Sequence, residues 1–443
     1  MSYLPAGTRV GGSENPLRWL EPRAVVSTRR TAEVARAGWL SGWVVFALSV
    51  LVLFTYSEAW LAPLTGEKPN ADDAGLIRAV YYPAYAATLL IFASCGRETL
   101  RALIRSPLLV VLVGFAAASV MWSSDPEATT RRVVAIVLTS LGGVVIAARY
   151  DWTRLAQILA TTFALLALAS LFAALFVPSI GRMEDLFPGS WRGLWLEKNT
   201  LGGFMALGTA IFSAAAMLDK PRRWLWAAFT VLALALVWMS TSKTALASAA
   251  VALSAFAFVW LAKRGPVMSV ITVWLGVVAL AGVAAVIIFE PQWIFSLLDK
   301  DATLTGRTKI WAAAARLIHQ RPTLGWGYGA VWDNKDRWGP LTRIVNQAGF
   351  TPQHAHSSWY EMALTLGFVG AGIWALWFAE TWIRALISIF TNRGAYLAVP
   401  VIAVYSITSF SESITLTWND LRWVLFVLVA VKLASGFQST VNR

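Results

Sequence analysis

Long apolar runs separated by short polar breaks dominate the chain, near residues 39–55, 76–94, 107–121, 131–148, 155–177, 200–218, 224–239, 244–262, 267–289, 358–380, 396–410 and 421–437. Crossing a hydrocarbon core takes roughly 20 mostly apolar residues in a helix, so these runs predict an all-α integral membrane protein with about twelve transmembrane helices. One connection breaks the rhythm. Residues 290–357, between the ninth and tenth runs, are far longer than any other break, and long loops tend to be functional. Inside it, Thr305 to Gln320 reads as an amphipathic helix: Ile310, Trp311, Ala314, Leu317 and Ile318 fall on one face, and Pro322 follows its end. The GWGYG run at 325–329 is turn chemistry, and TPQHAHSSWYE leads straight into the tenth run.

Composition agrees. Charged residues make up 14% of the chain against 57% hydrophobic, whereas a soluble domain carries about a quarter charged residues. The organisation expected is a cytoplasmic, disordered N-terminal segment over 1–38, rich in Arg, Gly and Pro, and one membrane domain over 39–437 containing the loop 290–357. No short apolar core with a small-residue cleavage site precedes Trp39, so the first span is expected to act as its own insertion signal. Cys95 is the single cysteine, which excludes an intrachain disulfide and a sulfur-ligated metal site.

The net charge of +13 would suggest nucleic acid or anionic lipid in a soluble protein. In a membrane protein it sets orientation instead, and no nucleic-acid binding is read from it. With a cytoplasmic N-terminus, Arg97, Arg101, Arg105, Arg149, Arg154, Lys220, Arg222, Arg223, Lys263, Arg264, Arg384, Arg393 and Lys432 all fall inside with the six N-terminal arginines. Fewer bases fall outside in the short connections, so both termini are expected in the cytoplasm. The acidic first loop (Glu58, Glu67, Asp72, Asp73) and the loop 290–357 then face out.

His354 and His356 stand together at the outer membrane edge, where a histidine can take a proton near neutral pH; two solvated loop histidines are the plain alternative. Arg307 opens the loop helix, whose positive N-terminus could join its guanidinium in an anion site. Arg192 lies just before the sixth span, and arginine's planar fork suits phosphate oxygens. Either arginine could instead be an interfacial anchor. Their convergence on one membrane face with the histidines suits a lipid-linked pyrophosphate, with a histidine to deprotonate an attacking sugar hydroxyl. Supporting candidates are Lys198, Asn199, Ser357 and Glu361, the last placed to orient a histidine or a substrate hydroxyl. Asp299 and Asp301 form a DxD spacing that is read as loop solvation, and His319 as a surface residue. Trp326, Trp332 and Trp338 could stack on sugar rings.

Five segments, GLWLEKNTLGG (193–203), STSKTAL (240–246), TGRTKIWAAA (305–314), RPTLGWGYG (321–329) and HAHSSWYEMALTLGFVG (354–370), resemble in order and spacing the O-antigen ligase and polymerase superfamily, and within it the ExoQ-type exopolysaccharide polymerases. The resemblance covers roughly residues 190–375. It implies a metal-independent, inverting glycosyltransferase of the GT-C type in the bacterial inner membrane, with a periplasmic active site and no cofactor. The donor would be a glycan on undecaprenyl pyrophosphate. The acceptor would be a hydroxyl of a second glycan or of a lipid core, with membrane lipid around both. By this resemblance Arg192 and Arg307 would hold the pyrophosphate and His356 would be the general base. Ser357 stands where relatives often have Asn, and Glu197 where many have His. A chain-length regulator is left open as a further partner. The polymerase reading has two competitors: an O-antigen ligase, and a lipid-linked glycan flippase or transporter. A transporter would be expected to carry midplane charges and an internal repeat.

Overall fold

The computed structural model describes residues 41–66, 73–184, 187–289, 306–332 and 336–436; the described residues are mostly helical, with no strand beyond one isolated bridge, Arg182 to Trp191. The expectations for residues 1–38, Asp72, Asp299 and Asp301 lie outside the described residues. The helices that position the site are α1 (Gly42–Tyr56), α2 (Ala74–Ser94), α3 (Gly96–Ile104), α4 (Pro107–Ala118), α5 (Pro126–Arg149), α6 (Trp152–Phe176), α7 (Lys198–Leu218), α8 (Arg223–Met239), α9 (Lys243–Ala262), α10 (Pro266–Phe289), α11 (Arg307–Gln320), α12 (Pro340–Ala348), α13 (Ser358–Thr391), α14 (Ala395–Ser411) and α15 (Leu421–Gly436). Among the described residues seven helices are long and apolar enough to cross a membrane, or eight if the pair Gly96–Ile104 and Pro107–Met121, bent by 89°, counts as one span. The chain is an all-α, multi-pass membrane protein.

Local chemistry sets several boundaries. Ser41, Asp125, Asp151 and Ser242 each accept a hydrogen bond from a backbone N–H in the first turn of the helix they precede, and Pro126 adds a fixed φ at the start of α5. The apolar pattern missed α3, whose sequence GRETLRALI is amphipathic and which is bent by 89° from the helical segment Pro107–Met121. It also missed α12 and ended the tenth span at 380, where α13 continues to Thr391 through the Glu380–Arg384 ion pair (2.6 Å). A buried aromatic cluster of Trp374, Trp377, Tyr405, Trp423 and Phe426 locks α13, α14 and α15 together, with ring centroids as close as 4.8 Å.

The helix connections gather at two ends. At one, Lys263 donates to the carbonyls of Ile389 (2.5 Å) and Asn392 (2.8 Å), Arg393 to Met217 (2.8 Å), Arg105 to Ser435 (3.2 Å) and Lys432 to Ala147 (3.3 Å). At the other, the segment 122–125 meets the loop after α11, and the 411–421 connection meets the start of α13. This second end carries the chemistry.

The loop after α11 is fastened to α13 at a helix break. Gly367 sits inside α13 with φ 66°, which interrupts the helical hydrogen bonds. The freed carbonyls of Leu364 and Thr365 accept from Trp326 N (3.1 Å) and Gly327 N (2.9 Å), while Phe368 N and Val369 N donate to the carbonyls of Pro322 (2.7 Å) and Thr323 (3.3 Å). A broken helix is tolerated in a membrane protein when other backbone re-satisfies its polar groups. Both sides need glycine: a Cβ at Gly367 would lie 2.2 Å from the Thr323 carbonyl oxygen, and one at Gly325 2.6 Å from the Gly367 nitrogen.

Candidate active site

The HAHSS segment leaves α12 and turns sharply into α13. His356 adopts φ 50°, a left-handed conformation that is strained for a residue with a Cβ and characteristic of functional positions. What holds the turn is Glu361, one turn into α13: its carboxylate accepts from Ala355 N (3.0 Å), Trp332 Nε1 (2.5 Å) and Ser413 Oγ (3.2 Å). Glu361 therefore fixes the backbone between the two histidines and does not touch an imidazole itself.

His354 and His356 lie with ring centroids 4.0 Å apart. His354 Nδ1 accepts the backbone N–H of His356 (3.2 Å), which leaves its proton on Nε2. Burial, with the neighbouring His356, lowers its pKa to about 4, so it is neutral at pH 7. Buried His356 Nδ1 faces Glu412 Oε2 at 3.5 Å without a formed hydrogen bond, so the carboxylate is the partner available to an Nδ1 proton, which would leave the Nε2 lone pair to accept. Glu412 also takes Arg307 Nη2 on its other oxygen (3.2 Å). Burial alone would raise the Glu412 pKa, but the adjoining His356 ring and the charge of Arg307 outweigh it and hold the carboxyl down at about 2.

Glu412 thus joins the start of α11 to the start of α13. Its own backbone is fixed by Ser358, whose hydroxyl donates to the Glu412 carbonyl (2.9 Å) and accepts from Ile414 N (2.9 Å) and Thr415 N (3.1 Å). The expected helper Ser357 is a buried N-cap residue without a side-chain capping bond, and the serine that clips the site together is the next one. Sequence reading passed over Glu412. The signal available was an acid at the end of a span, in SESITLTWND, fifty-six positions from His356.

The other predicted residues lie elsewhere. Arg192 is 5% exposed and donates Nε to the Ile180 carbonyl (2.8 Å) and Nη2 to that of Ser179 (2.7 Å). These bonds hold the 178–181 turn, so part of its fork serves the fold. Its segment adjoins the site end through Trp195, which donates Nε1 to the Ser57 carbonyl (2.7 Å). Lys198 donates to Thr241 Oγ1 (3.1 Å) and lies 3.7 Å above the Phe187 ring; Asn199 is exposed beside it. His319 is exposed, as expected of a surface residue.

Beside the histidines a cavity of ≈ 320 Å³ opens between Glu58, Tyr328, Trp332, His354, Thr417 and Trp418. A larger space of ≈ 970 Å³ at the opposite end of the bundle is walled by apolar residues of α9, α10 and α13. Its one cation, Lys263, is committed to carbonyls, so that space offers no chemistry. One ligand atom each from His354, His356 and Glu412 lie within 4.8 Å of one another, and among the described residues this is the group able to hold a metal ion.

Residues 228–375, which include α11, both histidines and Glu361, match the O-antigen ligase family. The exopolysaccharide production protein ExoQ of Rhizobium meliloti (strain 1021) is 26% identical to this chain over 271 residues, 58% of this chain and 60% of ExoQ. Both matches support the resemblance of the chain to the O-antigen ligase and polymerase family. Arg192 and Glu412 lie outside the family-matched segment, although Glu412 completes the geometry within it.

Proposed function

We propose that the chain is a glycosyltransferase that polymerises undecaprenyl-pyrophosphate-linked repeat units into exopolysaccharide or O-antigen at the periplasmic face of the inner membrane. The observation that carries the reading is the Arg307–Glu412–His356 chain, an anion-binding group and a proton acceptor tied to one carboxylate. Glu412 fixes the imidazole with its Nδ1 proton inward, as the buried acid does in a hydrolase triad. The acceptor hydroxyl gives its proton to His356 Nε2 as its oxygen attacks the anomeric carbon. The bond from that carbon to the phosphate oxygen breaks, and the electron pair leaves on the pyrophosphate. Attack opposite the leaving group inverts the anomeric centre. Arg307 keeps donors beyond the one on Glu412, and with the N-terminus of α11 it meets the charge that develops on the pyrophosphate.

No step here requires a metal, and Arg307 already supplies the positive charge beside the imidazole–carboxylate group. We further propose a GT-C-type bundle of twelve passes, with α3 lying along the inner surface and both termini cytoplasmic. Arg105, Lys263, Arg393 and Lys432 gather at the end opposite the site, as the positive-inside rule requires. Ligation to a lipid core is the second reading, favoured by the family that residues 228–375 match.

The test is a deletion strain complemented with wild type, His356→Ala or Arg307→Ala at equal membrane levels. Single repeat units accumulating on the lipid in both variants support the polymerase. Polymer made on the lipid but not passed to an acceptor supports the ligase. Full-length product from both variants sinks the site.

A further inference from the structure

The ≈ 320 Å³ cavity beside the catalytic group contains a carboxylate that the proposed reaction does not use. Glu58 follows α1 in the first outer connection with φ 58°, and Leu416 and Asn419 on the facing 412–420 connection are left-handed as well, at 53° and 58°. Strained backbone in residues with a Cβ concentrates where side chains are aimed for function. Glu58 Oε1 accepts the hydroxyl of Tyr81 (2.9 Å), while Oε2 accepts no protein hydrogen bond among the described residues. Glu58 is exposed towards the cavity, while the protein packed around the rest of the side chain limits its hydration. This partial desolvation and the charge of nearby Asp420 push its pKa up to about 7. The indoles of Trp332 and Trp418 and the ring of Tyr328 supply the walls. Trp418 is itself held by Arg132, whose guanidinium lies 4.6 Å from the ring centre, and the Tyr328 hydroxyl is tied to the Leu416 carbonyl (2.6 Å). A small aromatic cavity with a few convergent polar groups is the usual form of a small-molecule site.

We propose that this cavity is the acceptor-sugar subsite, in which a pyranose ring lies against the Trp332 and Trp418 indoles and a ring hydroxyl donates to Glu58. The assignment rests on the glycosyl-transfer reading and adds to it which residues choose the acceptor. His354, which lines the same cavity while its backbone neighbour His356 faces Glu412, joins the subsite to the reacting group. Glu58 binds and does not take part in proton transfer; its carboxylate selects for a hydroxyl donor at that position of the ring.

The test is binding, which needs no turnover. Full-length protein in nanodiscs is titrated with the oligosaccharide released by mild acid from the lipid-linked intermediates of the deletion strain. Saturation-transfer NMR and tryptophan fluorescence read the affinity. A hydrogen bond to a carboxylate predicts that Glu58→Gln and Glu58→Ala weaken binding about tenfold or more. Glu58→Asp, which keeps the charge but retracts it, should lose less and serves if the other two fail to fold. Wild-type affinity in Glu58→Asp and Glu58→Gln overturns the subsite. If those variants bind normally while His356→Ala still blocks transfer, the subsite fails and the glycosyltransferase stands. If wild type itself binds no oligosaccharide and His356→Ala makes normal product, both fail.

Discussion

Glu412→Gln keeps the shape of the side chain and removes the charge that Arg307 and His356 share. A carboxyl held near 2 in place of its ordinary 4.5 corresponds to ~3 kcal/mol of stabilisation of its ionised form by those partners. Because the folded-state pKa is depressed, this stabilisation is fully present above about pH 4.5 and is lost as pH falls towards about 2. The variant should therefore have a lower thermal midpoint than wild type at pH 7, with the gap narrowing steadily as the buffer is taken down through pH 4. The kinetic effect is larger than the loss of an ion pair. Without the carboxylate, His356 is free to rotate or to place its proton on Nε2, where it cannot accept from a hydroxyl. Loss of a positioned general base reduces turnover by about 10²–10⁴-fold. The assay is transfer from purified lipid-linked oligosaccharide in proteoliposomes, with donor binding measured separately. A fall in kcat of at least about a hundredfold, with the donor still bound, is expected. Turnover within threefold of wild type, or a thermal midpoint whose gap does not change with pH, would refute the linkage described above.

Arg192→Ala should lower the amount of folded protein, because the 178–181 turn loses two side-chain donors, and the protein that does fold should retain donor affinity; an intact protein with lost donor binding would restore Arg192 to the pyrophosphate. Gly367→Ala should abolish accumulation or activity, since its Cβ would meet the Thr323 carbonyl at 2.2 Å in a backbone of φ 66°; normal yield and turnover would show that the break can relax. Glu58→Gln should gain thermal stability relative to wild type as pH rises from about 4.5 through about 7: the raised carboxyl makes the folded state bind its proton more tightly than the unfolded chain, so wild type loses stability across that window. A constant difference between the two proteins over that range would contradict it. Trp332→Phe removes one donor from Glu361 and should slow turnover while leaving donor affinity, read by the same two assays.

Helix positions were largely legible because hydrophobicity is a local property: the runs at 200–218 and 421–437 correspond to α7 and α15 within two residues. The helix over 305–320 was legible for the same reason, through its amphipathic spacing. Helix α3 was not, because its charges disqualify it as a span and its short length hides the period. Arg307 and His356 were singled out by type and by their place on one membrane face. Glu412 was marked only as an acid at the end of a span, since its link to Arg307 and His356 is created by packing between segments far apart in sequence. For Arg192 type and placement do not separate a ligand-binding role from a structural one, since two of its donors go to backbone carbonyls at a turn. Glu58 was visible as an acid in the first outer loop, but nothing local marked it apart from Glu67, Asp72 and Asp73.

The position of Glu412 between α14 and α15 bears on how the protein is made. A polytopic chain enters the bilayer from its N-terminus, so Arg307 and His356 are in place before the carboxylate that joins them has been synthesised. Until α14 and the connection after it are in place, Arg307 and His356 have no shared anchor and α13 lacks the Ser358 clip to residues 412–415. A nascent or C-terminally truncated chain would present the histidine and the arginine without that geometry. Because the carboxylate follows α13 and α14 in the chain, the site is assembled only after both of those helices have been made.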